Sequence, residues 1–267
     1  MQEHFTTLNL LIKLLYDLSS QDLPPVFEEN LEAITTILHK YIMYDNPLLH
    51  TDDDTQPGLL EFTKAGIFES LILYIQKYED VTGPLLSQFI NSSWTLLTNI
   101  GTETRQDYLV SKILQFLTAV ASIRQHAESF SNADVLSQVI EKVVLPNLAL
   151  RESDLEIFED EPIEFIRRDL EGSDSDTRRR AATDFLRQLM VQYEKLVTDV
   201  VSKYISYYIS EYNKDMSNNW KAKDTSVYLF SSIAAKGVAT SLHGVKSTNS
   251  YVYGPISLFS SMFQRHH

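Results

Sequence analysis

Carboxylates are the residues in this chain whose number and spacing invite a chemical reading. Residues 151–176, RESDLEIFEDEPIEFIRRDLEGSDSD, hold eleven of them beside three arginines. A carboxyl pair works as general acid and base only where a shielded pocket raises one pKa. An acidic loop surrounds its carboxylates with water instead. Asp52, Asp53 and Asp54 suggest calcium, but the EF-hand frame needs D-x-[DN]-x-[DN]-G and a Glu at its twelfth position. Pro57 and Gly58 break that frame, so a solvated loop is expected. Cysteine is absent, which removes disulfides, thiolate metal ligands and a thiol nucleophile and favours a reducing compartment. The seven histidines are scattered, and His39 reads as the rim of an amphipathic helix. GxSxG, GxxxxGK[ST], GxGxxG and HExxH motifs are missing. The expectation is a protein that is not an enzyme and has no cofactor or metal site. Tyr204, Tyr207, Tyr208 and Tyr212 cluster on one helical stretch; core packing with hydroxyls at the edge is preferred over an aromatic cage.

The elements that carry these residues are helical. Leu109, Ile113, Phe116, Leu117, Val120 and Ile123 recur at steps of three and four, as do apolar residues from Leu196 to Tyr212. Such spacing lines one helix face. Gly and Pro number only eight each in 267 residues, about half the usual share, so few turns interrupt the chain. Sustained two-residue alternation is absent. The spacing predicts about ten helices, near 2–19, 25–45, 58–79, 84–100, 103–125, 132–146, 175–193, 195–213, 218–236 and 251–264. Pro25 and Pro84 fall at first-turn positions, and Gly101 and Gly237 where C-terminal caps belong. The helices pair at a rhythm close to that of HEAT and armadillo arrays. The predicted fold is therefore all-α: a HEAT/armadillo-like α-solenoid of about five antiparallel helix pairs, preferred over a single bundle. Repeats are placed at 1–150 and 177–267, with the acidic insertion at 151–176 between them.

With 23 basic and 36 acidic residues, the net charge is −13. Phosphate backbones and anionic lipid repel such a chain, so neither nucleic acid nor a membrane surface is an expected partner. The early apolar run is cut by Lys13 and Asp17, and no basic n-region precedes it, so neither a membrane span nor a signal peptide is predicted.

The insertion is the informative interruption. A connector between helices is ordinarily two to eight residues, and longer loops are often functional. Its charges can also serve local ends. Asp174 with Arg178, Asp176 with Arg180 and Arg180 with Asp184 stand four residues apart, where a pair contributes about 0.2–0.5 kcal/mol. Asp174 and Asp176 would also favour the start of the following helix.

The run FEDEPIEFIRRDLEGSDSDTRRRAATDFLRQL, residues 158–189, closely resembles the karyopherin-β (importin-β/exportin) family, most distinctively in IRRDLEGSDSDTRRRA at 166–181. SWTLLTNI, LVSKILQFLTAVASI, VVLPNLALRESDLEIFED and NNWKAKDTSVYLF resemble it too, and the likeness extends to about Asn249. The segment YVYGPISLFSSMFQRHH lies beyond it. Family members are several times longer, so the resemblance implies a central piece of a HEAT superhelix, without the first repeats or the C-terminal arch. It further implies a nuclear transport receptor that binds importin-α together with RanGTP, moves between nucleus and cytoplasm, and leaves room for nuclear pore contacts. The matching family insertion is linked to partner contact and to opening and closing of the ring. Carried onto this chain, that role falls on Glu159, Asp160, Glu161, Arg167, Arg168, Asp169, Glu171, Asp174, Arg178, Arg179 and Arg180. An acidic insertion also suits basic partners on electrostatic grounds. The alternative is a HEAT-repeat scaffold with unrelated protein partners, which would have no need of the 166–181 string.

Overall fold

Helix periodicity is realised wherever the chain is described. A computed structural model describes residues 1–123, 126, 128–170 and 177–234, and within these every regular element is helical. The helices are α1 (Gln2–Ser19), α2 (Pro25–Glu29), α3 (Leu31–Ile42), α4 (Leu59–Lys77), α5 (Glu79–Thr82), α6 (Leu86–Asn99), α7 (Asp107–Ser122), α8 (Ala133–Val139), α9 (Leu145–Leu148), α10 (Glu152–Asp160), α11 (Pro162–Leu170), α12 (Arg178–Lys214) and α13 (Trp220–Ala234). The helix expected at 251–264 and the cap expected at Gly237 lie outside the described residues.

Two compact units divide the chain. The first comprises Met1–Ile123 and Arg151–Ala181, and the second Arg124–Leu150 and Ala182–His267. In the first, α4 lies between α1 and α7, while α3 packs on α4 and α6 packs on α7. Phe5, Ile12 and Ser19 repeat every seven residues along α1 and are its buried stripe. Polar contacts fix its register: Thr63 donates to Asn9 at 2.8 Å, and Tyr78 Oη donates to the Ser19 carbonyl at 2.9 Å. Helix α4 is buried on nearly all sides, the pattern of an interior helix rather than a surface one. Phe68 sits at its centre, fully buried with its ring 5.3 Å from that of Phe116. Each such side chain stabilises the fold by roughly 1.5–3 kcal/mol through burial alone. His39 is half-buried, 2.8 Å from Ser92 Oγ and edge-on to Phe89.

In the second unit, Leu136, Ile140, Val144 and Leu148 join Phe185, Leu189, Val201 and Leu229 as buried residues. Phe130 meets Phe185 edge to face at 5.9 Å. The predicted 132–146 helix runs as α8, a π-helical stretch at Ile140–Val144, and α9. Its Leu145–Leu148 turn contains Pro146 near the start, where the missing N–H costs least.

Several predicted boundaries shift for identifiable reasons. The helix expected at 25–45 breaks at Asn30, whose side-chain amide donates to the Val26 carbonyl at 2.8 Å. Asparagine satisfying the backbone in this way competes with helix continuation. Pro84 lies in a 3-10 turn, Gly83–Leu85, ahead of α6. The predicted break between 193 and 195 is a kink at Tyr193 (φ −134°, ψ 47°) within α12. Gly101 follows α6 without the left-handed backbone of a glycine cap, and a side chain there would meet only the movable end of Glu103.

Two expectations are corrected. The insertion read as a solvated loop is helical at Glu152–Asp160 and Pro162–Leu170, as α10 and α11, with 171–176 outside the described residues. The tyrosines read as core are not buried: Tyr207 is 55% exposed, and Tyr204, Tyr208 and Tyr212 are half-buried. Tyr204 instead reaches Glu141 at 3.3 Å, and Lys223 covers the Tyr212 ring at 4.9 Å. The Asp52–Asp54 turn faces solvent as expected, with Asp53 accepting from Thr55 and Asp54 facing Arg105.

Candidate functional site

Two short helices form a hairpin, with Glu161 at the turn and Pro162 opening the second. Each has nine residues, a length at which an isolated helix is marginal in water. The start of the first is secured locally: the Asp154 carboxylate accepts the Arg151 backbone N–H at 2.9 Å, covering a donor that a helix terminus otherwise leaves unpaired. Proline at the first turn of the second costs no hydrogen bond. The two helices meet through Phe158 and Phe165, whose rings lie edge to face at 5.4 Å.

What holds the hairpin is at its base. Asp107, in the first turn of α7, receives a bidentate pair from Arg151 at 2.7 and 2.8 Å. Arg178 Nε donates to the same carboxylate at 2.7 Å. Arg151 also reaches Asp154 through two further hydrogen bonds of 3.1 Å, and donates to the Thr102 carbonyl at 3.0 Å. Arg178 donates to the carbonyls of Gly101 at 3.2 Å and Glu103 at 3.3 Å. One carboxylate thus gathers the residue where the chain enters the insertion and the residue where α12 begins. Burial alone would pull the Arg151 guanidinium down, but the hydrogen bonds to Asp107 and Asp154 reverse that and hold it above its ordinary value. Bidentate, charge-assisted pairs of this kind fix orientation as well as adding energy.

The outer surface is different. Phe158 is 49% exposed, Ile163 73% and Ile166 46%. Glu159, Asp160 and Glu161 stand exposed and consecutive around the turn. Arg167 is exposed and lies 3.6 Å from Glu164. Exposed apolar side chains beside carboxylates on one hairpin are suited to a partner surface that carries apolar anchors and basic residues.

The residues carried over from the family fall into separate environments. Glu159, Asp160, Glu161 and Arg167 share the exposed hairpin. Arg168 and Asp169 lie on α11, but their side chains are outside the description, as are Glu171 and Asp174. Arg178 is 4% exposed and Arg179 is buried too, so these two face the chain's own interior. Arg180 is exposed at the start of α12, where its N–H donates to Thr177 Oγ1 at 3.2 Å. Asp184 pairs with Arg187 at 3.1 Å, three residues on. Asp107 and Arg151 were missed. Their sequence signal was slight: a carboxylate opening a helix, and an arginine three residues before an aspartate. Among the described residues, no His, Cys, Asp and Glu cluster has the arrangement of a metal site, and no helix is long and apolar enough to cross a membrane.

Helix pairs packed in this way define an all-α solenoid of the HEAT type, and the comparisons agree. The solved structure described as the exportin Cse1 in its cargo-free, cytoplasmic state superposes with a TM-score of 0.86 at 47% identity, over 92% of this chain and 27% of that one. The Cse1 family model matches residues 1–261, so the chain belongs to the Cse1 family. That match continues beyond Asn249, where the likeness read from the sequence stopped. The importin alpha re-exporter of Saccharomyces cerevisiae is 48% identical over 246 residues, 92% of this chain and 26% of the yeast protein. Exportin-2 of Xenopus laevis is 44% identical over 248 residues, and Exportin-2 of Homo sapiens 43%, each covering 93% of this chain and 25% of the relative. The chain therefore spans about a quarter of the length of the curated relatives it matches. These names describe transport receptors rather than enzymes.

Proposed function

We propose that this chain contributes to a non-enzymatic nuclear export receptor that binds importin-α with RanGTP and carries importin-α from nucleus to cytoplasm. The names of the relatives support the cargo, and the family resemblance supports the GTPase. The observation that carries a local role is the hairpin itself. It presents Phe158, Ile163 and Ile166 to solvent beside Glu159, Asp160 and Glu161, yet its base is held by Asp107. A firm base with an uncovered acidic and apolar surface suits docking rather than core formation. In this reading Glu159, Asp160, Glu161 and Arg167 contact a basic partner. Arg168, Asp169, Glu171, Asp174 and Arg180 extend the contact, whereas Arg178 and Arg179 position it from within.

The test is a binding titration of the chain against importin-α and Ran in its two nucleotide states. Affinity spread over many repeats falls steeply when a quarter of the length acts alone, so a Kd of about a micromolar or weaker is expected. Binding should require RanGTP and weaken with salt, since exposed charges are screened over about 8–10 Å. Replacing Glu159, Asp160 and Glu161 with lysine should weaken it about tenfold, which is about 1.4 kcal/mol. Salt-insensitive binding, or a preference for RanGDP, contradicts the proposal.

A further inference from the structure

Helix α1 has two apolar faces, and only one of them is covered. Phe5, Ile12 and Ser19 are buried on the side that packs against α4. Leu10, Leu14 and Leu18 recur every four residues and are 64%, 51% and 48% exposed, with Leu11 beside them at 56%. At about 100° per residue these leucines form one stripe, turned about 140° away from the buried one. Single exposed leucines are ordinary, whereas a contiguous apolar stripe marks a contact surface. Helix α4 shows what two apolar faces mean in this unit, since it lies between α1 and α7 and is buried on nearly all sides. The outer face of α1 has the same apolar character and stands in solvent.

The pattern on this face selects its occupant. The stripe is symmetric about Leu14: reversing the helix end for end about that residue exchanges the positions of Leu10 and Leu18. Lys13 and Asp17 follow one edge of the stripe. Both are exposed, and among the described residues neither side chain has a hydrogen-bond or ion-pair partner. When two copies of one helix pack antiparallel, like edges face each other. Lys13 of one copy then comes within reach of Asp17 of the other, and the two-fold repeats the pairing. A parallel pair would set this charged edge against the opposite one, which carries Leu8 and Leu15, and would leave both charges without partners. The leucine stripe and its charged edge are thus both self-complementary in the antiparallel sense.

We propose that a second copy of this chain covers the outer face of α1, antiparallel about a two-fold axis at Leu14, with Leu10 of each copy against Leu18 of the other and Lys13 opposite Asp17. An 18-residue helix is about 27 Å long, and one helix pair of that length falls at the small end of specific interfaces. The contact is therefore weak and reversible, with a Kd of about 10–100 µM. It uses none of the hairpin residues and does not depend on the export reading.

The experiment is sedimentation equilibrium of the whole 267-residue chain over a concentration series, in which a monomer–dimer equilibrium is expected. Leu14→Glu places two carboxylates at the axis and should weaken the dimer at least tenfold, with the thermal midpoint unchanged because position 14 faces away from α4. Leu14→Ala should weaken it several-fold and keeps the test decisive if Leu14→Glu folds poorly. Lys13→Glu should weaken it about threefold, and adding Asp17→Lys should restore it, because the reciprocal pairs are rebuilt with their signs exchanged. The chain has no cysteine of its own, so Leu14→Cys reports the axis directly. Copper–phenanthroline in air, which takes up the two electrons and two protons released, should join two copies through this position far faster than through Leu10→Cys or Leu18→Cys. Equal cross-linking at all three positions means a parallel pair and overturns the proposal. So does a chain that stays monomeric throughout, or a dimer that the position-14 variants leave unchanged, which belongs to another surface. A monomer whose folded Leu14→Glu variant loses importin-α binding assigns the face to that partner and equally overturns the self-contact.

Discussion

Helix α4 and the hairpin of α10 and α11 belong to the same compact unit but are stabilised by opposite means. The first is surrounded by apolar neighbours, with Ile67, Phe68, Leu71 and Tyr74 essentially without solvent contact. The second has no buried residue along α10, and it leaves Phe158 and Ile163 in water. Its anchor is one carboxylate shared by two arginines. Hydrophobic burial is non-directional and grows with area, so it makes a helix that resists change everywhere. A charge-assisted clamp acts at one point and leaves the far end accessible. A helix of the first kind supports a scaffold, and a hairpin of the second kind can hold a binding surface outward.

The comparison can be broken most forcefully at Phe68. Phe68→Ala removes a fully buried ring and its 5.3 Å contact with Phe116. Large-to-small changes of this kind cost about 3–5 kcal/mol. Chemical denaturation should show a loss of that size, spread over α1, α4 and α7 as measured by hydrogen exchange. A loss below about 1 kcal/mol would mean that α4 is not the interior element described above.

Asp107→Asn strikes the clamp with nearly the same volume. Two guanidiniums are then left with an amide in place of their shared anion. Removing one partner of a well-buried ion pair costs about 3–5 kcal/mol. Arg151 and Asp107 keep some exposure, 13% and 17% of their side chains, so about 2–4 kcal/mol is expected here. Its location matters more than its size. Amide exchange across 152–170 should accelerate while α4 remains protected, because the hairpin has little apolar burial to fall back on. Unchanged exchange in the hairpin would assign its order to something other than the clamp.

The same contrast governs what could be read from sequence. Periodicity is local, so the positions of α1, α7 and α12 followed from apolar spacing within each segment. In the insertion, charge obscured the helical signals. Arg151 followed by Asp154, and Pro162 followed by Ile163 and Ile166, are helix-compatible patterns. Eleven carboxylates made the stretch read as a solvated loop. The clamp itself was illegible because Asp107 lies 44 residues from Arg151 and 71 from Arg178. Nothing in helix spacing couples positions so far apart. Arg178, Arg179 and Arg180 were given one partner-contact role by the family resemblance, yet consecutive residues on a helix point about 100° apart. That geometry buries the first two and leaves the third outside.

The smallest expected effect on folding comes from Phe158→Ala. Its ring is half in solvent and touches Phe165 edge to face at 5.4 Å. Such a contact contributes about 0.5–1.5 kcal/mol when well packed, and exposure at this site places the expected loss near or below 0.5 kcal/mol. Denaturation midpoints should therefore hardly move, and exchange in the hairpin should rise only a few-fold. Binding should respond more strongly. An exposed aromatic that becomes covered in a complex gains there the burial it lacks in the free chain. Loss of partner affinity exceeding loss of stability, and persisting at high salt where the carboxylates are screened, would identify Phe158 as an apolar anchor of the docking surface. Equal small losses in folding and binding would instead confine it to joining the two helices, and the partner would then be gripped by Glu159, Asp160 and Glu161 alone.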